Sequence, residues 1–313
     1  MKLLLAPLQG FTDAAYRRAW QQHFTGIDAF YAPYITLQND GSIKNSQWRD
    51  ILPANNEVLP IPQILAANAE EATILTQRIA DLGIYKEINL NLGCPYPMVT
   101  NRGRGSALLQ QTEVLREILD ALFSQFGESL NFSVKLRCGL LDFDEVKDVV
   151  QVLNDFPIAY SILHPRIAKQ LYKGTADQDC FADVFGKFNH PLYYNGDIYT
   201  LANYNKLCQQ LPALQGVMLG RGILENPLLP EEIKNGVAFS TKAKLDRLTS
   251  FFDDLLEINR QQLSGESHLL SKMKSYLPYF MYFNLDNKKA YKKMKKAKGM
   301  NSFLEGMSDL LSD

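Results

Sequence analysis

The sequence predicts a (β/α)8 TIM barrel of the α/β class, followed by a small C-terminal all-helical domain. Three observations carry this. Eight short β-rich runs recur through residues 1–240 with helical patterns between them. Several runs are apolar without alternation, as in parallel strands covered on both faces. After residue 240 the strand signals cease and helical patterns take over. Eight β–α repeats in ~230 residues match the size of such a barrel. A doubly wound sheet is the structural alternative, but the dinucleotide fingerprint of that fold is missing.

In chain order the expected strands are LLLAP (3–7), AFYAP (29–33), PIPQILA (60–66), EINLNL (87–92), SVKLRC (133–138), YSILHP (160–165), LYYNG (192–196) and GVMLGR (216–221). The first is read as a buried strand because Pro7, Gln9 and Gly10 end its apolar run too early for a signal-peptide core. Residues 68–83 open on Asn68 as an N-cap, carry Glu70 and Glu71 in the first turn and end in glycine, which predicts a helix. Residues 142–155 open on Asp142 with an acidic first turn and predict another. Beyond the barrel, 242–263 reads as an amphipathic helix, 271–283 as a helix broken or kinked at Pro278, and 286–298 as a lysine-rich segment. The expected division is a catalytic barrel over 1–240 and a helical domain over 241–313.

Bulk composition narrows the classes. Of 313 residues, 46% are hydrophobic and 21% charged, with a net charge of −1, which excludes a wholesale polycation. No apolar stretch approaches the ~18 residues of a membrane span, so no membrane association and a cytoplasmic location are expected. Cys94, Cys138, Cys180 and Cys208 are scattered. They have no zinc or iron–sulfur spacing and no disulfide framework, so no metal is expected and any cofactor is organic. Charge is split unevenly. Residues 1–240 hold 20 Lys+Arg against 25 Asp+Glu, while 241–313 hold 13 against 9. Seven lysines fall between 288 and 298, around a stripe of Ala290, Tyr291, Met294 and Ala297. Such a run suits a solvated helix face or a phosphate-binding one.

A barrel of this class assembles its site at the C-terminal strand ends. Here those ends are rich in polar residues, glycine and proline. Cys94 stands between glycine and proline on a turn, with Arg102 and Arg104 in a glycine-flanked loop behind it. Lys135, on an apolar strand, reads as a lysine paired with a barrel carboxylate, as a Schiff-base lysine, or as a contact to an anionic cofactor ring. His164 and Arg166 share the next strand end. NGD (195–197) and GRG (220–222) end the last two strands, the usual phosphate site of such barrels. Gln63 could satisfy a core backbone group or meet the edge of a heterocycle.

APLQGFTD (6–13), the strand with Gln63, NLNLGCPYPMVTNRGRGSALL (89–109), VKLRCG (134–139), HPR…QLYKGTAD (164–177), YYNGDI (193–198) and VMLGRGILENP (217–227) occur in that order. This series resembles the tRNA-dihydrouridine synthases across nearly all of the first 235 residues. The resemblance implies an FMN-dependent barrel with a helical domain that grips tRNA. It implies reduction of the C5–C6 double bond of selected uridines, with NADPH reducing the flavin. By matching motif, Pro7, Leu8 and Gln9 would line the flavin, and Gln63 and Lys135 would contact its ring. His164 would lie near the flavin and its phosphate end. Asn195, Gly196, Asp197, Gly220 and Arg221 would cradle the phosphate. Cys94 would be the proton donor. Substrate contacts would come from Asn91, Arg102, Arg104, Arg137, Arg166, Lys288, Lys289, Lys292 and Lys293. The chain departs from many members at Leu8, Gln9 and Pro97. A monomer is expected.

The chemistry suits the cysteine. Saturating uracil takes a hydride at C6 and a proton at C5. A thiol with an ordinary pKa of ~8.5 is mostly protonated at neutral pH yet acidic enough to protonate an enolate. A structural cysteine is the plain alternative. The alternatives for the whole chain are an FMN barrel acting on a free pyrimidine, such as a dihydroorotate dehydrogenase, and a non-catalytic RNA-binding barrel. The modified position, and tRNA against rRNA as substrate, are not legible in one sequence.

Overall fold

A computed structural model describes residues 1–284 and 287–312. Its strands are β1 (Lys2–Leu5), β2 (Ala29–Phe30), β3 (Gln63–Ile64), β4 (Glu87–Leu92), β5 (Asn131–Gly139), β6 (Ser161–Ile167), β7 (Leu192–Asn195) and β8 (Gly216–Leu219). All pair in parallel, in the order β2-β1-β8-β7-β6-β5-β4-β3. Two bridges, Tyr31 to Ile61 and Ile35 to Ile64, join the outer strands and close the barrel. All eight expected strands are present. β2 and β3 keep only two regular residues each, because Pro33, Pro60 and Pro62 lack the N–H that a ladder needs.

Leu4, Ala6, Tyr31, Ile162, Tyr193 and Met218 fill the barrel interior. A larger apolar layer lies outside it, between strands and helices. Asn68 caps the helix Ala69–Ala80 by accepting from Glu71 N at 2.9 Å, as the sequence predicts. The helix expected from 142 begins later, at Glu145. Asp142 accepts from Asp144 N in a tight turn, and the Glu145 carboxylate takes the amides of Leu140, Leu141 and Asp142.

The helix Thr241–Gln262 carries Leu248, Phe251 and Leu255 into the same core as the barrel, where Phe251 meets Tyr16 of the helix Ala14–His23. The segment expected as one kinked helix is two, Glu266–Ser275 and Leu277–Phe280, with Pro278 in the first turn of the second. The lysine-rich helix is Lys288–Lys296; Asp286, where that segment was expected to begin, lies outside the described residues. Ala290, Met294 and Ala297 are buried and Tyr291 half-buried, as the stripe predicts. No described helix is long and apolar enough to cross a membrane.

Candidate functional site

Cys94 sits on the turn that ends β4, and Asn91 builds that turn. Its Oδ1 accepts from the amides of both Gly93 and Cys94 at 2.9 Å. Its Nδ2 donates to Gln63 Oε1 at 2.7 Å. Gln63 in turn donates to Asn89, and Asn89 to Ser133, at 2.7 and 2.9 Å. Ser133 donates to Glu87, which also accepts from Tyr160. A chain of buried polar groups therefore runs from the barrel floor to the cysteine turn. Such a network stiffens what it holds when its groups are satisfied.

Gly105 clasps the turn from the other side. Its φ of +62° is unfavourable for other residues, and an added Cβ would lie 2.8 Å from Cys94 O and 3.0 Å from Cys94 Cβ. Ser106 N donates to Cys94 O at 3.1 Å. The thiol packs among Leu65, Val99 and Tyr34. Burial pushes it above the usual thiol range, against the Tyr34 hydroxyl, Arg137 and Lys135, which pull it down. The thiol is therefore protonated at neutral pH.

The ammonium of Lys135, one strand over, makes no ion pair or hydrogen bond among the described residues. Burial, with repulsion from Arg137, lowers its ammonium from 10.5 to about 7. His164 is held neutral by burial and by Arg137, Lys135, Arg166 and Arg221 around it. Arg166 Nη1 lies 2.9 Å from His164 Nε2. Because arginine only donates, Nε2 accepts and the ring proton sits on Nδ1. Asp197 bridges Arg166 at 2.6 Å and Arg221 at 3.0 Å, which holds its carboxyl below the usual range. Asn195 spans β7 and β8 by donating to Met218 O at 2.7 Å, with Gly196 and Gly220 beside it. Pro7 and Leu8 are half-buried after β1, and Gln9 is exposed.

Lys135, Arg137, Arg166 and Arg221 converge on this end of the barrel. Asp197 is the one carboxylate ion-paired with any of them among the described residues. Arg166 Nε is buried with no partner. This excess of positive charge, with Arg137 and Arg166 buried and Lys135 and Arg221 partly so, fits an anionic ligand such as a phosphorylated flavin. No described cluster of His, Cys, Asp or Glu is placed to hold a metal ion.

The structure engages several of the expected contact residues with other protein groups. Arg104 was expected to reach RNA with Arg102, but its side chain is 10% exposed and forked on Glu71, at 3.0 and 2.7 Å. It pins the loop, and only Arg102 faces solvent. Gln63 is fully buried with both amide ends bonded, so it serves the site through Asn91. Asn91 spends its oxygen on the turn. Arg137 and Arg166 are each 1% exposed and lie beneath the mouth. Arg137 donates to Gly93 O, Ile167 O and Leu171 O, at 3.1, 3.0 and 2.8 Å. Lys288, Lys289 and Lys292 are exposed, while Lys293 is engaged by Glu305 and Asp309.

Tyr34, Tyr172 and Gly105 escaped the sequence reading as site residues. The Tyr172 ring lies under both Arg137 and Arg221, at 5.4 and 4.8 Å. It reaches the mouth from the connection after β6, within the QLYKGTAD segment, in which no role was assigned to the ring.

A family model described as dihydrouridine synthase matches residues 4–310. A probable tRNA-dihydrouridine synthase of Helicobacter pylori strain J99 is 27% identical over 259 residues, 82% of this chain and 77% of the relative. A tRNA-dihydrouridine(16) synthase of Cupriavidus necator is 28% identical over 238 residues, 74% and 73% of the two chains. Among solved structures, the old yellow enzyme homologue of Zymomonas mobilis superposes with a TM-score of 0.56 at 11% identity, over 76% of this chain and 90% of that one. That likeness speaks to the barrel fold alone.

Proposed function

The chain belongs to the dihydrouridine synthase family, and on that premise we propose that it reduces the C5–C6 double bond of selected uridines in tRNA to 5,6-dihydrouridine, with bound FMN and NADPH as reductant. One observation carries the reading most. Cys94 stands on a turn fixed by Asn91 and Gly105, its thiol raised by burial, within electrostatic reach of Lys135 and Arg137 at a barrel mouth with an excess of positive charge.

Lys135 and the backbone at Pro7 and Leu8 would hold the ring of FMN. His164, Arg166, Arg221, Asn195, Gly196 and Gly220 would hold its phosphate end, with Asp197 setting the angle of the two arginines. When bound, FMN supplies the hydride equivalent for C6 of the pyrimidine. Cys94 delivers the proton to C5 from its sulfur. The burial that raises its pKa keeps that proton in place until the carbon becomes basic. Asn91 and Gly105 keep the sulfur aimed. Lys135 and Arg137 lie close enough to stabilise the thiolate that remains.

A uridine inside folded tRNA reaches such a mouth only when extruded, at a cost of a few kcal/mol. Arg102 and the exposed lysines of the 241–313 region would offset this through phosphate contacts. The barrel, 1–240, would then do the chemistry and 241–313 the docking. The test is direct. The purified protein should carry extractable FMN and form dihydrouridine in unmodified tRNA. Position 16, in the printed name of the Cupriavidus relative, is the first place to look. Turnover of free uracil or orotate without activity on tRNA would overturn the reading.

A further inference from the structure

Two of the other three cysteines face each other, away from the barrel mouth. Cys138 Sγ lies 2.6 Å from Cys180 Sγ. Both are free thiols. Cys138 packs with the outer apolar layer between strands and helices, whereas Cys94 belongs to a separate cluster at the mouth.

The backbone aims the two sulfurs at each other. β5 and β6 run in register to the pair Arg137–His164, then shift before Gly139–Ile167. Cys138 sits in that irregularity, where such a feature re-aims a side chain. Cys180 lies in the first turn of the helix Gln178–Phe185. Asp177 accepts from Cys180 N at 2.9 Å and donates its own amide to Pro165 O at 2.7 Å. The helix start is thereby tied to the end of β6, next to the shifted register. Exposure divides the two: Cys138 is fully buried and Cys180 partly exposed.

We propose that Cys138 and Cys180 form a second thiol centre, independent of Cys94, that closes to a reversible disulfide when the protein meets a hydroperoxide. Cys180, the accessible partner, attacks one peroxide oxygen as its thiolate. An S–O bond forms, the O–O bond breaks, and hydroxide leaves and takes up the thiol proton as water. Cys138 sulfur then attacks the Cys180 sulfenic acid. The S–S bond forms, the S–O bond breaks, and a second water leaves with the remaining proton. Two thiols and one hydrogen peroxide become one disulfide and two waters. A dithiol reductant reverses the change.

The bond has a consequence for the mouth. It closes a covalent ring around the connection after β6. That connection carries Tyr172 against Arg137 and Arg221, and Ala176 N–H against Asp197 at 2.7 Å. Oxidation therefore restrains the segment covering the buried cations, without consuming the Cys94 thiol.

Peptide mapping of the full-length protein after treatment with hydrogen peroxide tests this. Blocking of free thiols and tryptic digestion without reductant should yield peptides 138–147 and 174–187 joined, with two hydrogens lost. Dithiothreitol should separate them, and Cys94 and Cys208 should be recovered as blocked thiols. The oxidised protein should melt at a higher temperature than the reduced one, because the cross-link restricts the unfolded chain. Cys180→Ser should abolish both the joined peptide and the melting shift, and Cys94→Ser should abolish neither. Cys138→Ser gives the same result if it folds; Cys180→Ser alone decides the matter if it does not. The proposal is overturned if Cys138 and Cys180 both remain blockable while Cys94 oxidises, or if Cys180 runs on to the sulfinic acid with Cys138 still a thiol.

Discussion

Replacing Lys135 with methionine should stabilise the flavin-free protein and weaken its hold on FMN. Burial of the ammonium, with Arg137 beside it and no carboxylate partner among the described residues, lowers it from 10.5 to about 7. A depressed lysine destabilises the folded state. The cost is full below pH 7, where folded and unfolded chains both carry the charge, and it fades as pH rises from 7 toward 10.5. At pH 7 its ceiling is on the order of 4 kcal/mol, from the pKa difference and ~1.4 kcal/mol per unit. Methionine is close in length and carries no charge, so Lys135→Met should recover part of that sum. Thermal melts of both flavin-free proteins between pH 6 and 10 would show the variant melting higher at pH 7, with the gap closing by pH 10. In the proposed complex the ammonium donates to acceptor atoms of the flavin ring, so the wild-type Kd for FMN, read by fluorescence quenching, should weaken above pH 7 while that of the variant stays flat. A variant that melts at or below wild type at pH 7, and binds FMN with the wild-type pH profile, would refute the reasoning.

Gly105→Ala should fold and keep FMN yet lose uridine reduction, since a left-handed alanine costs ~1–3 kcal/mol and its methyl displaces the Cys94 turn; flavin content and circular dichroism beside the activity assay separate this from unfolding. Tyr34→Phe removes a hydrogen bond that lowers the Cys94 thiol. Alkylation of Cys94 by iodoacetamide should therefore be slower at each pH, and an unchanged profile would remove Tyr34 from the site. Changing Lys288, Lys289, Lys292 and Lys293 together to Gln should flatten the salt dependence of tRNA binding. Each lost phosphate contact removes roughly 0.7–0.9 from the slope. Lys293 contributes least because Glu305 and Asp309 hold it. Equal slopes would leave docking to Arg102 and other residues.

The fold was legible where burial dictates local pattern. β4, buried on both faces, appears with its expected bounds, Glu87–Leu92. The Asn68 cap was readable because its partner is three residues away. The turn around Cys94 was readable because glycine and proline punctuate it. What stayed hidden is long-range. Arg104 read as a free cation because its partner Glu71 lies 33 residues upstream. Arg137 read as a substrate contact, yet its carbonyl acceptors come from Gly93 and from the connection after β6. Gln63 read as a ligand contact because nothing local discloses that Asn89 and Asn91 take both ends of its amide. Asp142 lost the helix start to Glu145, whose carboxylate satisfies three consecutive loop amides. Arg104, Arg137 and Gln63 each carry several hydrogen-bonding atoms that are claimed by groups only the closed barrel brings near, whereas the Asp142 turn is decided by local competition for the same amides.

In the proposed reaction Cys94 supplies the proton for the tRNA uridine that this barrel reduces. This role is tested most directly by comparing wild type with Cys94→Ala on unmodified tRNA, with NADPH present and dihydrouridine read by mass spectrometry of the digested RNA. Both proteins should hold equal FMN and oxidise NADPH alike, since neither property needs the thiol. Wild type should form dihydrouridine at a defined position, and the variant should do so ~10²-fold more slowly or worse, the usual share of a positioned acid. Dihydrouridine formed by Cys94→Ala at the wild-type rate would contradict the account.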